Sequence, residues 1–278
     1  MSQYILFNDQ FVQSDAPLLQ AQNRGFKFGD GLFETMRMCN GKLQFPALHA
    51  DRLHAGMKAL KMDGYTLLDD YFLKQKTAEL AKKNRIHGNA RFRLTIYRNG
   101  EGLYTPQSNK VGYLLEASAL PNADYELNTK GLIVDVYDEI PKPINKLSNY
   151  KTTNALLYVM AGLYQKQHRL DEALLLNQHG FLCESTSSNV FVVYQNQIYT
   201  PALSEGCVAG VMRNVVMQLA KQNQLPLIEA QINPQILNEA EEVFVTNAIG
   251  GIRWVMGYGR KRYFNEVAKD LSAKLNAF

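Results

Sequence analysis

Three lysines, Lys142, Lys146 and Lys151, lie close together in the segment "PKPINKLSNYKTTNALLYVMAG", residues 141–162. The first two fall in a polar loop marked by prolines, whereas Lys151 stands at the start of a strongly apolar helix. Apolar surroundings disfavour the ammonium form of an amine, which leaves the nitrogen able to attack a carbonyl carbon. Lys151 is therefore a candidate for a lysine that forms a Schiff base. Because most lysines at helix starts are solvated, this pattern needs support from a second segment.

A single carboxylate, Glu184, lies downstream among small hydroxyl residues in "CESTSSNVF", residues 183–191. Asn189 follows on a predicted strand, and Gly210 opens a predicted helix. The backbone N–H groups at a helix N-terminus can hold an anion such as a phosphate. The alternative interpretation is a hairpin with an exposed glutamate, followed by a glycine that merely begins a helix. The ordered combination of these residues favours a binding site.

The motifs of this region resemble the signature of class IV, or fold-type IV, pyridoxal-phosphate enzymes. That family includes branched-chain aminotransferases, D-amino-acid aminotransferases and 4-amino-4-deoxychorismate lyases. The resemblance extends over nearly the whole chain. It is carried by Glu184-x-Ser/Thr-x-x-Asn189-Val-Phe191, Ile198-x-Thr200 and Val208-x-Gly210-Val-x-Arg213, and by "NRGFKFGDGLFETMR" (23–37), "LHADRL" (48–53), "DEALLLNQHGFLCEST" (171–186) and "EEVFVTNAIGGIRWV" (241–255).

The resemblance selects Lys151 from the three lysines. In the family, the cofactor lysine is followed after two residues by Asn and then by an apolar helix, with an acidic-Ala strand start about twenty residues on. Lys151, Asn154 and Glu172-Ala173 fit this pattern, whereas Lys146 lies five residues too early for the helix. The resemblance implies that Lys151 is the catalytic residue, which binds pyridoxal phosphate and moves protons to and from the substrate carbon.

The resemblance also implies where the rest of the cofactor is held. Glu184 would face the pyridine nitrogen, and Arg52, one helical turn after His49, would bind the phosphate as a forked donor. A packing or supporting hydrogen-bond role is expected for His49. The remaining cofactor-binding residues complete the phosphate cup, pack against the ring or hold the loop beside the lysine: Asn189, Val208, Val211, Met212, Thr246, Asn247 and Ala248.

The substrate pocket separates the activities of the family. The loop "RNGEGLYTP" (98–106) lacks the Arg-x-His pair of D-amino-acid aminotransferases, and "TNAIGGIRWV" resembles the turn of the 4-amino-4-deoxychorismate lyases. The expected reaction is therefore release of p-aminobenzoate and pyruvate from 4-amino-4-deoxychorismate. Arg91 and Arg93 share one strand face and can bind carboxylates. The expected substrate-binding residues are Phe33, Arg91, Arg93 and Tyr104.

Two other functions stay open at this point. Arg93 falls where branched-chain enzymes carry a pocket arginine, so the chain can also be a transaminase that exchanges branched-chain or D-amino acids with 2-oxoglutarate. Trp254 replaces the usual Pro of its turn, and Phe33 stands where several relatives have Tyr, so both positions alter the expected pocket. A cofactor-binding protein without catalysis is the third possibility, although Lys151, Glu184 and Arg52 are all present.

The composition fits an ordinary globular enzyme. The 278 residues are 46% hydrophobic, and the net charge of +4 comes from scattered basic residues, which argues against a nucleic-acid partner. The three cysteines show neither metal-ligand spacing nor a disulfide pattern, which favours the cytoplasm. No signal peptide and no apolar run of membrane-spanning length are expected. The resemblance implies a small-molecule substrate and a homodimer.

The elements that must position these residues read as an α+β protein. Residues 1–120 are expected to form the N-terminal domain, 121–130 a linker and 131–278 the C-terminal domain. By resemblance, the first is a smaller α/β sandwich and the second a larger pseudo-barrel. The pattern predicts a hairpin at 32–45, helices at 46–62, 67–84, 153–169, 210–222 and 265–276, and strands at 90–98, 111–120, 131–140, 172–177, 180–184, 189–194, 197–200, 226–231, 242–247 and 252–258.

Overall fold

The computed structural model describes residues 3–277, so the outermost ends of the two predicted domains, residues 1–2 and 278, lie outside the described residues. The chain divides into two compact units. The first contains the residues through Asp124 together with Tyr150–Asn154, and the second contains Tyr125–Asn149 and the residues from Ala155 onward. The division between Asp124 and Tyr125 falls inside the predicted linker. The five residues around Lys151 lie with the first unit, whereas the sequence analysis placed them in the C-terminal domain.

The first unit is a sheet with its two longer helices packed on one face. Its strands run in the order β2-β1-β6-β5-β3-β4. The elements are β1 (Tyr4–Phe7), β2 (Gln10–Gln13), α1 (Arg24–Phe28), β3 (Gly31–Cys39), β4 (Lys42–Leu43), α2 (Pro46–Ala59), α3 (Asp70–Lys83), β5 (Ala90–Arg98) and β6 (Val111–Ala119), with a short 3-10 turn at Tyr65–Leu67.

The alternating pattern of β5 decides which side chains this sheet presents. Phe92 and Leu94 are fully buried in the core that also holds Leu53 of α2 and Leu80 of α3. Because successive side chains of a strand point to opposite faces, Arg91 and Arg93 lie on the face away from this core. The arginine pair predicted to share one face therefore does so.

The hairpin predicted at 32–45 forms with its tip where expected. Met38 pairs with Leu43 and Cys39 with Lys42, which leaves Asn40 and Gly41 as the two connecting residues. Both adopt positive φ, 47° and 76°. That is the conformation that a two-residue turn between antiparallel strands requires, and it favours Asn-Gly.

The segment Tyr150–Asn154 extends alongside the start of β3. The Phe33 N–H donates to the Lys151 carbonyl at 2.9 Å, and the Thr153 N–H donates to the Gly31 carbonyl at 3.0 Å. A Cβ on Gly31 would lie 2.5 Å from the Ile96 carbonyl oxygen of β5 and 3.2 Å from the Thr153 hydroxyl oxygen, so glycine is required at this position. The helix predicted at 153–169 begins only at Leu156, because Thr152 and Thr153 pair with the start of β3 instead.

The second unit is built on a nine-stranded mixed sheet of order β12-β11-β10-β13-β14-β7-β8-β9, with β15 paired to β14, as counted over residues 3–277. It has short 3-10 turns at Leu203–Glu205 and Pro234–Asn238. Its elements are β7 (Leu132–Lys142), α4 (Leu156–Gln167), β8 (Glu172–Asn177), β9 (Leu182–Ser185), β10 (Asn189–Tyr194), β11 (Gln197–Pro201), α5 (Val211–Gln222), β12 (Leu227–Ala230), β13 (Glu242–Asn247), β14 (Gly251–Tyr258), β15 (Lys261–Arg262) and α6 (Glu266–Leu275).

Apolar side chains from this sheet and its helices form the core of the second unit. Phe191 of β10 stacks on Phe244 of β13, with ring centroids 5.0 Å apart, and both rings are fully buried. The helix predicted near 210–222 is α5, and its apolar positions Val215 and Leu219 are buried as the periodicity requires. None of the helices within residues 3–277 combines the length and the apolar character that crossing a bilayer demands.

Candidate active site

The three lysines of residues 141–162 have different surroundings. Lys142 is the last residue of β7, is only 5% exposed and forms an ion pair with Glu184. Lys146 is exposed to solvent. Lys151 is half-buried, and its side-chain nitrogen lies 4.5 Å from the centroid of the Phe33 ring. Lys151 is thus the lysine whose amine is placed against an aromatic face.

Phe33 gathers two cations in the first unit. The guanidinium carbon of Arg93 lies 3.9 Å from the ring centroid, so Arg93 and Lys151 both lie over the ring that β3 presents. Such contacts are favourable because the face of an aromatic ring carries negative charge. Burial, aided by the charge of Arg91 and opposed by that of Glu116, lowers the pKa of Arg93. The structure therefore brings Lys151 together with two of the predicted substrate residues, Phe33 and Arg93.

Arg91 and Arg93 also line an open groove of about 600 Å³ on the face of the sheet away from α2 and α3. Residues after β2, including Leu18 and Leu19, line the same groove. Glu116 on β6 pairs in register with Arg93 and lines the same groove. Two cations and one carboxylate in a partly apolar groove can orient an anionic small molecule.

Arg52 is held by a buried carboxylate. Its Nε donates to Glu34 Oε1 at 2.8 Å and its Nη2 donates to Oε2 at 2.5 Å, while His49 Nδ1 lies 2.6 Å from Oε2. Burial alone would raise the pKa of Glu34, but the charges of Arg52 and His49 outweigh it and lower the pKa to about 2. His49 thus supplies the supporting hydrogen bond expected from its spacing. The proposed contact of Arg52 with a phosphate stays a prediction.

Tyr104 lies apart from the Phe33 cluster among the described contacts. It is 90% exposed, and its ring lies 5.6 Å from that of Phe28. Arg24 fixes the backbone beside it, because its guanidinium donates to the carbonyl oxygens of Gly102 at 3.1 Å, of Leu103 at 2.5 Å and of Tyr104 at 3.4 Å. The sequence analysis assigned no role to Arg24.

Asp30 ties this loop to the end of β5. It accepts hydrogen bonds from Arg24 Nε at 2.8 Å and from Arg98 Nε at 3.0 Å, and both arginines are nearly fully buried. Arg98 also donates to the Asn109 side chain at 2.6 Å. The motifs "NRG" and "GDG" contained the signal for this network, but the position of Arg98 across the sheet could not be read from spacing.

Glu184 is the centre of a buried polar cluster in the second unit. It is 3% exposed, so the alternative of an exposed hairpin glutamate is wrong. Its Oε1 accepts from Lys142 Nζ and from the Tyr158 hydroxyl at 2.6 Å, and its Oε2 accepts from the Val208 N–H at 2.8 Å. Sequence reasoning missed Lys142 and Tyr158, because Lys142 was assigned to a polar loop and Tyr158 to an apolar helix.

The N-terminus of α5 is prepared for an anion. Among the described residues, no side chain caps this helix end. The N–H groups of Val211 and Met212 therefore lie in an uncapped first turn, where they can bind an anion. A Cβ on Gly210 would lie 1.9 Å from the Asn189 side-chain oxygen, so glycine is required there. Asn189 in turn donates to the Val208 carbonyl at 2.9 Å. Asn189 and Val208 therefore shape the loop that leads into the helix.

The predicted loop Thr246-Asn247-Ala248 adds a hydroxyl to this region. Thr246 pairs in register with Asn189. Its buried hydroxyl oxygen has no hydrogen-bond partner in the structure of residues 3–277. Asn247 is occupied by Ser188 at 3.0 Å and by the Gly250 N–H at 2.7 Å, and the Ala248 carbonyl accepts from Tyr125 at 3.4 Å. A buried hydroxyl without a partner is a polar group that a bound ligand would satisfy.

The donors and acceptors of the second unit fit pyridoxal phosphate. An uncapped helix end and a partnerless hydroxyl suit a phosphate, and a buried carboxylate suits a protonated ring nitrogen. In the first unit, Lys151 offers an amine for the aldehyde of the cofactor, and Arg52 offers a forked cation. The two units thus each contain groups of the kinds that this cofactor requires.

Comparisons with known proteins give the same direction. A family model described as amino-transferase class IV matches residues 31–257. D-alanine aminotransferase of Listeria innocua is 27% identical over 248 residues, covering 87% of this chain and 83% of the relative. Aminodeoxychorismate lyase of Bacillus subtilis is 27% identical over 252 residues, covering 88% and 83%.

Among solved structures, a branched-chain aminotransferase from Thermoproteus uzoniensis, crystallised with norvaline, superposes with a TM-score of 0.87. The alignment covers 99% of this chain and 93% of that chain at 20% sequence identity. At this identity the likeness shows the fold alone. It confirms the predicted α+β, two-domain fold-type IV architecture.

Proposed function

The chain belongs to the class IV amino-transferase family, and from this premise we propose that it is a pyridoxal-phosphate enzyme that releases p-aminobenzoate and pyruvate from 4-amino-4-deoxychorismate. Membership of the family confirms the resemblance found in the sequence and makes the chain an enzyme. The choice of this reaction among those of the family is our proposal.

One observation carries the proposal: the Lys151 amine and the Arg93 guanidinium lie over the same Phe33 ring, 4.5 and 3.9 Å from its centroid. The distance between the Lys151 nitrogen and the Arg93 guanidinium carbon is therefore at most the sum of these two distances. The same guanidinium can bind a substrate carboxylate beside that amine.

Bound pyridoxal phosphate supplies an electron sink for the carbanion formed at the substrate carbon. Lys151 would hold the cofactor at its aldehyde and would take the proton from the ring carbon that bears the substrate amine. The bond between the substrate ring and the enolpyruvyl oxygen would break as the ring becomes aromatic, and the enolpyruvate released would gain a proton at its methylene carbon to become pyruvate. Arg91 and Arg93 would bind the two carboxylates, and Tyr104 would close the substrate side.

The remaining predicted residues would hold the cofactor. Arg52 and the N–H groups of Val211 and Met212 would bind the phosphate, with the Thr246 hydroxyl as a further donor. Glu184 would accept a hydrogen bond from the protonated ring nitrogen of the cofactor, and Val208 would pack against the cofactor ring. Asn189 at the start of β10, Asn247 at the end of β13 and the next residue, Ala248, would complete the cup through their backbone or by shaping it.

A transaminase is the second candidate. The chain is as similar to a D-alanine aminotransferase as to an aminodeoxychorismate lyase, 27% identical in each case, so identity does not separate the two reactions. Arg93 favours a branched-chain or similar amino acid equally, because one guanidinium suffices for one carboxylate. The lyase is preferred because the loop at 98–106 lacks an Arg-x-His pair and because Arg91 adds a second cation to the groove.

The solution state and compartment are also proposals. The family resemblance supports a homodimer, which light scattering on the purified protein would test. The small number and wide separation of the cysteines support a reducing compartment, the cytoplasm.

The test uses pyridoxal-phosphate-loaded protein and 4-amino-4-deoxychorismate without any amino acceptor. Release of p-aminobenzoate and pyruvate in equal amounts over many turnovers is the expected result, and Lys151→Ala should abolish it. Lys146→Ala, which removes an exposed lysine of the same loop, is the matched control and should retain activity. No release from protein that carries the cofactor would overturn the lyase, and turnover of an amino-acid panel with 2-oxoglutarate would establish the transaminase.

A further inference from the structure

Lys142 and Glu184 form a buried ion pair that none of the roles described so far explains. The two residues are 5% and 3% exposed, and they come from the end of β7 and from β9. Removing two charges from water is costly, so a buried pair contributes little net stability compared with apolar residues of the same size. Stability is therefore a weak reason for this pair to exist, and a role in placing the carboxylate is a better one.

The hydrogen bonds of Glu184 are distributed unequally between its two oxygens. Oε1 accepts from the Lys142 ammonium and from the Tyr158 hydroxyl, whereas Oε2 accepts from the Val208 N–H alone among the described residues. Each carboxylate oxygen has about two acceptor positions. Oε1 is thus filled by side chains, and Oε2 keeps one position for a further donor.

The other titratable groups that face Glu184 are neutral. Burial, together with the charge of Glu184, raises the pKa of the Tyr158 hydroxyl, so this group stays a proton donor. Burial and the same charge raise the pKa values of the Cys183 and Cys207 thiols. Lys142 is therefore the group that supplies positive charge at the carboxylate, and its nitrogen also lies 5.5 Å from the centroid of the Tyr158 ring.

We propose that Lys142 is a positioning residue for Glu184: with Tyr158 it fixes Oε1, so that Oε2 is the oxygen presented to the ring nitrogen of the cofactor. This inference rests on the proposed function, in which Glu184 is the partner of that nitrogen. Lys142 would thus have a different role from Lys151, which would bind the cofactor covalently. Lys142 touches neither substrate nor cofactor and acts through Glu184.

Lys142→Met tests the proposal, because it keeps most of the side-chain volume and removes the ammonium. In metal sites, residues that orient the metal ligands change affinity by roughly 10- to 100-fold when removed, and Lys142 would orient Glu184 in the same way. We expect pyridoxal phosphate to bind at least about tenfold more weakly by equilibrium dialysis. We also expect the pH titration of its visible absorption band on the protein to shift, because the carboxylate that faces the ring nitrogen is no longer held in place.

A double-mutant cycle with Glu184→Gln separates this role from a structural one. If Lys142 acts through Glu184, Lys142→Met should add no further change in affinity or in the band once Glu184 has been replaced. A lysine that merely stabilises the fold would lower the unfolding midpoint and leave the titration of the band in place. Equal effects of Lys142→Met in both backgrounds would overturn the proposal.

Two further variants keep the test decisive. Lys146→Met, an exposed lysine of the same loop, should behave as wild type, and Lys142→Arg should restore cofactor binding to within about threefold because it keeps the cation. If Lys142→Met does not fold, the cycle is run with Lys142→Gln, which also removes the ammonium, and Glu184→Gln; a band change that Lys142→Gln causes equally in both backgrounds would contradict the inference. Wild-type protein that binds no pyridoxal phosphate would instead reject the proposed function, which is a separate outcome.

Discussion

The side-chain nitrogen of Lys151 lies 4.5 Å from the centroid of the Phe33 ring. The same residues are joined through the backbone, since the Phe33 N–H donates to the Lys151 carbonyl at 2.9 Å. The lysine is thus positioned twice by one residue of β3, at its main chain and at its side chain. This pairing links the sheet of the first unit directly to the amine on which the proposed chemistry depends.

Replacing the ring should reduce activity without unfolding the protein. Phe33→Leu removes the aromatic face from beneath Lys151 and Arg93, and each cation–ring contact is worth about 0.5–2 kcal/mol. We expect kcat/KM to fall by roughly tenfold in the assay described above. Phe33→Tyr keeps the ring face and should stay near wild type. Phe11→Leu on β2 is the control, and a loss of similar size there would contradict the role of Phe33.

The buried carboxylate of Glu34 should make stability depend on acid. Its pKa falls from the usual value of a glutamate, about 4.5, to about 2 in the folded protein. Glu34 therefore contributes its full stabilisation above about pH 4.5, and this contribution is lost as the pH falls toward 2. The difference of pKa corresponds to roughly 3 kcal/mol.

Urea unfolding of wild type and Glu34→Gln over this acidic range measures the contribution. The variant should be less stable at neutral pH, because Arg52 and His49 lose their buried anion, and should lose less stability on acidification. Asp51→Asn replaces an exposed carboxylate beside Arg52 on α2 and should follow wild type. Parallel pH curves for wild type and Glu34→Gln would show that Glu34 does not produce the acid sensitivity.

Arg24 should determine how firmly the loop that carries Tyr104 is held. Lysine cannot reproduce a fork that reaches Asp30 and several carbonyl oxygens at once. Each lost hydrogen bond is worth about 1 kcal/mol, so amide exchange of the peptide covering residues 102–105 should accelerate by roughly tenfold or more in Arg24→Lys. Mass spectrometry of hydrogen exchange gives the answer. Lys27→Ala in the same short helix should leave the loop protected. Unchanged exchange in Arg24→Lys would show that the hydrogen bonds of Arg24 do not hold the loop.

Gly31 should tolerate no side chain. An added Cβ would meet the Ile96 carbonyl oxygen at 2.5 Å, and a forced backbone shift typically costs about 1–3 kcal/mol. Gly31→Ala is therefore expected to lower the free energy of unfolding by that amount and to weaken binding of pyridoxal phosphate, because the Lys151 segment pairs with this strand. Gly162→Ala in α4 is the control: its added Cβ would meet only the Thr186 methyl group, at 3.9 Å. That helical replacement should be neutral or stabilising by up to about 1 kcal/mol.

The local patterns of the sequence predicted much of this structure. The alternation in "ARFRLTIYR" placed Arg91 and Arg93 on one face, and Asn40-Gly41 placed the tip of the first hairpin, because both depend on neighbouring residues only. The start of α4 was predicted too early. Thr152 and Thr153 pair with the start of β3, which lies more than a hundred positions earlier in the chain, and helix periodicity contains no signal of such a contact.

Polar partners were the harder part of the site. The Lys142–Glu184 pair joins residues 42 positions apart, and Lys142 carries the proline-flanked context of a loop although it ends a buried strand. Arg24 likewise reaches a loop 78 to 80 positions away. Family resemblance supplied the residues expected to touch the cofactor. Apart from His49 and Asn189, it supplied few of the residues that hold those groups in place, since such partners depend on packing across elements.

The segment Tyr150–Asn154 also protects an edge. Near Leu32, the start of β3 pairs with β5 on one side and with this segment on the other, since β4 pairs only with the far end of β3 at Met38 and Cys39. A fragment ending at Asp124 would contain the whole first sheet but would leave the Phe33 N–H and the Gly31 carbonyl unpaired. Exposed strand edges of this kind pair readily with other chains. The lysine segment is therefore also a cover against aggregation, and the first unit should be soluble on its own only when this segment is supplied.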